Sequence, residues 1–307
     1  MSTSPENAIL SIAGLNKSYG SHKVLRDLNL DVVTGAIHGL VGLNGSGKTT
    51  TLECLLGLLS YNSGSIHLLG HSPARLNEAK GNIVGIFDTP SLSPQLTVRQ
   101  CLQQASLLCD TPTRNPEQVE RMLGIEPFSQ FRIRQLSLGN KRRASIAQAL
   151  LGDPALIILD EPFNGLDAGG VDEVLTLIQN LNKELGTSFL LSSHQLPYLE
   201  NICSHIAILH KGQIAVSDTV SALLSEHRTE VLVKTAQTEH ARQLITSLSG
   251  CQLQADNNGY LKVTLQEIDS ASLNSALVGE GIAVQELVLQ RPSLDKLFRQ
   301  ITAEAAS

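Results

Sequence analysis

The feature that most constrains this chain is a glycine-rich loop between an apolar, strand-like run and a helix-prone run. The loop fits the phosphate-binding pattern G-x-x-x-x-G-K-[ST] without departure. Glycines let the backbone approach a phosphate closely, and the following helix offers its positive end to an anion. Lys48 adds a charge for the β- and γ-phosphates, and the Thr49 hydroxyl is placed to ligate Mg²⁺. The predicted phosphate-binding residues are Gly42, Leu43, Asn44, Gly45, Ser46, Gly47, Lys48, Thr49 and Thr50.

Two acidic residues directly follow a second apolar run, Ala155–Leu159, which is typical of a central parallel strand buried on both faces. Ligands bind at the carboxyl ends of strands in such sheets. We therefore expect Asp160 to hold Mg²⁺, usually through water, and Glu161 to orient or deprotonate an attacking water. Considered alone, a strand that simply ends in an acidic turn is the alternative.

Two further segments carry candidate residues. Ser137 is a good N-cap for a helix whose first turn carries Lys141, Arg142 and Arg143. Basic residues are unfavourable at a helix N-terminus, so they indicate a phosphate or another negative partner nearby. His194 follows a buried strand and would lie beside the acids, within reach of a γ-phosphate, although an isolated histidine is more commonly structural.

Composition limits the other classes. Apolar residues make up 42 % of the 307 residues, which supports a proper core, and the net charge of −6 gives no broad surface for nucleic acid, so no nucleic-acid partner is expected. The five cysteines lack a C-x-x-C pair and are expected to be buried free thiols in a reducing compartment. There is no signal-peptide pattern at the N-terminus and no apolar run of about 18 residues. These features favour a cytoplasmic location.

The order of elements predicts an α/β fold with a parallel sheet and crossover helices. We expect a large first domain over residues 1–225, with a mostly helical part at about 91–151. Residues 226–307 follow the order β-α-β-β-α-β, which predicts a small ferredoxin-like α+β domain. A final helix is expected to begin near Pro292 or Ser293.

Taken in order, these segments and Gly165–Asp167 resemble the ATP-binding subunit of an ABC transporter over roughly residues 8–225. The resemblance implies an ABC-type ATPase domain over residues 1–225: a P-loop NTPase with a mixed or parallel sheet, an antiparallel β subdomain and a helical subdomain. It also implies that ATP and Mg²⁺ are bound and that ATP is hydrolysed. It implies that Tyr19 stacks on adenine, and that two copies pair head to tail. Ser137 and Gly139 would then act on the γ-phosphate bound by the partner, and Asp167 would touch the opposite copy. A separate membrane permease would hold the protein at the inner face of the cell membrane.

Two positions depart from the family pattern. Leu138 stands where the signature Leu-Ser-Gly-Gly-Gln has its first glycine, and we expect a helical backbone there to leave its N–H free. Asp88 stands where a glutamine usually contacts Mg²⁺ and water. We interpret Asp88 as a Mg²⁺-linked sensor, the alternative being a loop residue that has lost the contact. The apolar residues that follow are either a permease-docking surface or part of the helical core: Pro90, Leu92, Pro94 and Leu96.

The C-terminal segment Gln290–Phe298 resembles that of ATPases serving ABC-2 type exporters with separate permease chains. Because residues 226–307 lack a catalytic cluster, we expect a dimerisation or regulatory element there. The alternatives are a soluble ABC ATPase of translation or DNA repair, a non-hydrolysing regulatory dimer and an importer ATPase. The sequence contains one cassette and no heptad pattern of a coiled coil, which disfavours a soluble ABC ATPase. Intact Glu161 and His194 disfavour a non-hydrolysing dimer.

Overall fold

The computed structural model describes residues 7–89, 91–225, 229–254, 259–290 and 293–304. The chain divides into two compact units, residues 1–220 and 221–307. The boundary predicted from the sequence, after residue 225, lies five residues further along the chain. Pro90, Arg291 and Pro292 lie outside the described residues.

The first unit contains two sheets and six helices of the α type within its described part. In chain order its elements are β1 (Ala8–Tyr19), β2 (His22–Val33), β3 (Ile37–Val41), α1 (Lys48–Leu55), β4 (Ser63–Leu68), β5 (Ile83–Ile86), α2 (Val98–Leu108), α3 (Pro116–Met122), α4 (Leu138–Ala149), β6 (Leu156–Asp160), α5 (Ala168–Leu185), β7 (Ser188–Ser193), α6 (Leu196–Ile202), β8 (His205–His210) and β9 (Gln213–Thr219).

The larger sheet has the order β5-β6-β7-β3-β8-β9 and is parallel except for the β8–β9 pair. Strands β3, β6 and β7 are buried at every position, which explains why apolar residues predominate in their central parts. The smaller sheet, β2-β1-β4, is antiparallel and shares an apolar core with α1. The parallel register brings the ends of β3, β6 and β7 to one edge, so the loops that follow them converge.

Helices α2, α3 and α4 lie in the predicted helical stretch. The N-cap expected at Thr97 is present, because its hydroxyl accepts from the Gln100 N–H within a capping box. Of the apolar residues after Asp88, Leu92 is buried, Leu96 is half-buried and Pro94 is exposed. Leu92 therefore belongs to the protein's own core.

The second unit has the order β-α-β-β-α-β that the sequence predicts. After α7 (Val220–Ser225), which begins at the last residue of the first unit, its elements are β10 (Glu230–Thr235), α8 (Thr238–Ser247), β11 (Cys251–Leu253), β12 (Leu261–Leu265), α9 (Ser270–Gly279), β13 (Val284–Gln290) and α10 (Leu294–Glu304). The antiparallel sheet order β11-β12-β10-β13 is the ferredoxin-like arrangement. Helices α8 and α9 cover one face of this sheet with an apolar core.

None of the described helices is both long and apolar enough to cross a membrane. All five cysteines are free thiols; Cys54, Cys101 and Cys203 are buried, whereas Cys109 and Cys251 are half-buried. Burial raises the pKa of Cys54 to about 11, so its thiol stays protonated and behaves as a small apolar side chain.

A buried histidine on β3 makes the stability of the first unit depend on pH. His38 is 1 % exposed, neither ring nitrogen has a hydrogen-bond partner, and its ring stacks on His205 at 5.5 Å between centroids. Burial, reinforced by the charge of His205, lowers the pKa of His38 from 6.5 to about 3. The folded chain therefore keeps His38 neutral at a pH where the unfolded chain protonates it.

We expect His38→Phe to flatten the acid side of the stability profile. As the pH falls from about 6.5 towards 3, the wild type should lose about 1.4 kcal/mol of unfolding free energy per pH unit through this one group. The His38→Phe variant lacks this titrating ring, so its unfolding free energy should fall by about 1.4 kcal/mol less per pH unit than that of the wild type. Urea unfolding at pH 7.5, 5.5 and 4.5 measures the difference, and equal slopes for the two proteins would contradict the assignment.

Candidate functional site

Neighbouring residues require glycine at two positions of the loop between β3 and α1. Gly47 has φ 111°, and a Cβ there would lie 2.7 Å from Cδ2 of Leu25. A Cβ on Gly42 would lie 2.6 Å from the carbonyl oxygen of Leu209. Any side chain at either position would collide with a neighbour, so the two glycines fix a tight turn directly before α1.

Lys48 begins α1 and lies almost entirely inside the protein. Its Nζ donates to the Gly42 carbonyl at 2.8 Å and forms an ion pair with Glu161 Oε1 at 3.2 Å. The ammonium therefore connects the loop to the residue that follows β6. Both partners sit at the same sheet edge, as the parallel register requires.

Asp160 ends β6 and is 4 % exposed. Its carboxylate accepts from Thr49 Oγ1 at 3.0 Å and from the Ser192 hydroxyl. Within the part of the chain that the structure describes, no lysine, arginine or histidine forms an ion pair with it. The sequence alone assigned no role to Ser192. Its hydroxyl near the end of a buried strand could have indicated a hydrogen-bonding role, because buried hydroxyl groups need partners.

Glu161 has a left-handed backbone with φ 45°, which is uncommon outside glycine. Its N–H donates to the Ser192 carbonyl and hydroxyl oxygens, both at 3.1 Å. Its Oε2 lies 3.0 Å from Nδ1 of His194. Such a conformation costs on the order of 1–3 kcal/mol and persists where the surroundings hold it. The result is a carboxylate held between a lysine and a histidine.

These side chains line one cleft of about 620 Å³. The described residues that line it are His22, Val24, Asn44, Gly45, Gly47, Lys48, Thr49, Thr50, Asp88, Asp160, Glu161, Asn164 and His194. Six of the nine predicted loop residues line this cleft. The four predicted site residues at or after strand ends also line it: Asp88, Asp160, Glu161 and His194. Gly42, Leu43 and Ser46 belong to the same loop without lining the cleft.

Tyr19 does not line this cleft; it is 50 % exposed and its ring centroid lies 4.9 Å from Nζ of Lys17. His22, which faces Tyr19 across the β1–β2 turn, lines the cleft, and sequence reasoning did not single it out. The stacking of Tyr19 on adenine stays a prediction.

Asp88 lies in the loop after β5 with its side chain 47 % exposed. Its carboxylate accepts from Asn164 Nδ2 at 3.3 Å and pairs with Arg142 Nη2 at 3.5 Å. The suggested role as a Mg²⁺-linked sensor stays a prediction, since these two partners are protein side chains.

A second cleft, of about 590 Å³, contains the signature segment and shares no lining residue with the first. Ser137 caps α4 by accepting from the Asn140 N–H at 3.3 Å, and Leu138 begins the helix with a helical backbone, as expected. Gly139 and Asp167 also line this cleft. Asp167 caps α5 of its own chain by accepting from the Gly170 N–H at 3.0 Å.

The sequence indicated a phosphate or another negative partner near the basic residues at the start of α4, and for Arg142 that partner in the structure is the Asp88 carboxylate. The Arg142 side chain is fully buried in the second turn of the helix and donates to the Phe87 carbonyl at 2.9 Å. Arg143 forms an ion pair with Glu173. Carboxylates distant in the sequence therefore pair with both guanidinium groups, while the buried Nε of Arg142 has no hydrogen-bond partner among the described residues.

We expect Ser192→Ala to lower the unfolding free energy by about 1–3 kcal/mol. The substitution removes one hydrogen bond from the buried Asp160 carboxylate and one of the two acceptors of the Glu161 N–H. Ser193→Ala is the matched control: its hydroxyl serves one partly exposed N–H, that of Gln195, and should cost less. Urea unfolding of both variants tests this, and equal costs would show that the Asp160 contact contributes no specific stability.

Comparisons with known proteins agree with this geometry. The ABC transporter family profile matches residues 25–164. An uncharacterised ABC transporter ATP-binding protein of Bacillus subtilis, YdbJ, is 33 % identical over 96 % of this chain and 95 % of its own length. The bacitracin transport ATP-binding protein BcrA of Bacillus licheniformis is 31 % identical over 95 % of this chain and 96 % of its own length.

Solved structures show the same fold. An ATP-binding subunit of an ABC transporter is 30 % identical, covers 71 % of this chain and 92 % of its own, and has a TM-score of 0.63. The cbiO1 subunit of Clostridium perfringens, 24 % identical over 79 % of this chain and 96 % of its own, has a TM-score of 0.65. The predicted fold class is confirmed, and the chain belongs to the ATP-binding proteins of ABC transporters, whose nucleotide-binding cassette hydrolyses ATP to drive transport.

Proposed function

We propose that the protein is the ATPase of an exporter and works as a head-to-tail homodimer beneath a separate membrane permease. The observation that carries the dimer is the separation of the two clefts. Lys48 and Glu161 line one, whereas Ser137 and Gly139 line another with no residue in common. A signature segment that cannot reach its own phosphate loop requires a second copy to complete each ATP site.

The cleft lined by Lys48 and Glu161 suits a nucleoside triphosphate. The loop amides and the start of α1 offer donors and a positive dipole to the phosphates, and Lys48 would exchange Glu161 for phosphate oxygens. Three loop residues that do not line the cleft shape its turn: the Ser46 N–H donates to the Leu43 carbonyl at 3.0 Å, and Gly42 leaves no room for a Cβ.

Thr49 and Asp160 fit Mg²⁺. Asp160 is a buried carboxylate without an ion pair in the described part of the chain, and it already shares a hydrogen bond with the Thr49 hydroxyl. Mg²⁺ prefers hard oxygen ligands and is usually held by one or two carboxylates together with substrate phosphates. When bound, Mg²⁺ would neutralise charge that develops on the β- and γ-phosphates.

Glu161 is placed to accept a proton from, or orient, the water that attacks the γ-phosphate. An ionised carboxylate only accepts hydrogen bonds, so Nδ1 of His194 carries the proton that joins it to Glu161. His194 thereby fixes the carboxylate on the side opposite Lys48. We propose that its ring also contacts the γ-phosphate.

Three observations support export through a partner in the membrane. BcrA, which matches 95 % of this chain, is named for bacitracin transport. A protein of Streptococcus pyogenes that is named for lantibiotic transport is 32 % identical over 67 % of this chain. A groove of about 320 Å³ lined by Phe87, Ser91 and Leu108 borders the helical region and suits a short permease helix. Leu108 is 80 % exposed. We place the protein at the cytoplasmic face and take peptide antibiotics as the first cargo to test.

We expect tagged Glu161→Gln to trap the closed dimer, because ATP binding is retained while water activation is lost. Pull-down from detergent-solubilised native membranes with ATP and Mg²⁺, followed by mass spectrometry, should recover a membrane protein with several spans. Lys48→Ala is the matched control, since it weakens phosphate binding and should recover much less. Recovery of ribosomal or DNA-bound partners alone would reject the transporter assignment.

A further inference from the structure

A fully buried arginine joins the ends of two neighbouring strands. Arg142 lies in the second turn of α4 with no exposed surface. Its Nη1 donates to the Phe87 carbonyl at 2.9 Å, and its Nη2 donates to the Asp88 carbonyl at 3.0 Å. The same Nη2 lies 3.4 Å from the Glu161 carbonyl. Strands β5 and β6 are parallel neighbours, so one planar guanidinium reaches both of the loops that follow them.

This arginine needs a counter-charge. Burial lowers the pKa of Arg142, and the Asp88 carboxylate opposes that shift. Among the described residues, Asp88 is the carboxylate that forms an ion pair with it. The carbonyl oxygens accept from Nη1 and Nη2 but supply no negative charge, and an isolated buried cation is costly. An aspartate at this position is therefore explained by Arg142, whereas a neutral glutamine amide would remove the carboxylate that pairs with the guanidinium and leave only the more distant charge of Asp160.

We propose that Arg142 is a positioning residue for ATP hydrolysis, and that Asp88 serves as its counter-ion rather than as a ligand of Mg²⁺. The inference rests on the proposed role of Glu161. By holding the Glu161 carbonyl, Arg142 supports the left-handed backbone that directs the carboxylate between Lys48 and His194. Because Ser137 of the signature cleft caps α4, the same helix and its guanidinium connect that cleft to the catalytic residue.

The proposal predicts non-additive kinetics in a double-mutant cycle. Steady-state ATP hydrolysis is measured for the wild type, Asp88→Asn, Arg142→Gln and the double variant. We expect Arg142→Gln to lower kcat by about tenfold or more, because small displacements of a catalytic group are costly, while KM for ATP changes by less than about twofold. Asp88→Asn should lower kcat less. The double variant should resemble Arg142→Gln alone, since the pair is already broken.

Arg114→Gln is the matched control. Arg114 also donates to two carbonyls, of Leu150 and Gly152, and pairs with Asp153, but none of these partners lines the nucleotide cleft, whereas the Arg142 partners Asp88 and Glu161 do. Its substitution should lower the melting temperature without changing kcat below that temperature. Arg142→Lys keeps the charge and loses the fork, so it provides a second test should Arg142→Gln fail to fold; we expect it to fold and to lower kcat.

Three results would overturn the proposal. One is a folded Arg142 variant with kcat within about twofold of the wild type. Another is a double variant whose losses multiply. The third is a Mg²⁺ concentration for half-maximal hydrolysis that rises about tenfold in Asp88→Asn but not in Arg142→Gln, which would assign Asp88 to the metal. Hydrolysis by the wild type and its loss in Glu161→Gln, measured alongside, keep the proposed function separate from these results.

Discussion

The buried carboxylate of Asp160 is the interaction on which the site depends. A charged oxygen pair that is 4 % exposed is tolerated only when its hydrogen bonds are made, and its donors come from two other segments. Thr49 supplies one from the start of α1, and Ser192 supplies the other from the end of β7. The carboxylate therefore fixes the phosphate loop against two strand ends. Glu161 inherits its position from this arrangement, because Ser192 also accepts its N–H.

Local patterns predicted much of the fold. The loop before α1 is specified by glycines at fixed spacing, and the central strands by unbroken apolar runs between turn residues. Helix starts at Thr97 and Ser137 follow from capping, in which a side chain bonds an N–H three residues away. The second unit was predictable because each of its short elements alternates clearly with a turn. All of these signals act over a few residues.

What the sequence could not predict are partners that meet only after folding. Arg142 and Phe87 are 55 positions apart, and nothing near either of them indicates the contact. A basic residue at the start of a helix indicated an anion, and the anion beside Arg142 is Asp88, a carboxylate that no pattern near Arg142 specifies. Ser192 looked like an ordinary strand residue for the same reason. The placement of Tyr19 against Lys17 likewise depends on side-chain packing that strand alternation does not encode.

The hydrogen bonds of Phe87 and Arg142 connect the proposed permease groove with the chemistry. Phe87 is one of the residues that line that groove, and its carbonyl accepts from Arg142. Arg142 in turn donates to the carbonyl of Glu161, whose backbone is held in a costly left-handed conformation. A strained residue responds to small changes in its supports, because its neighbours hold it away from a lower-energy conformation. Movement of the loop after β5 by a docked partner would therefore reach the catalytic carboxylate through one side chain.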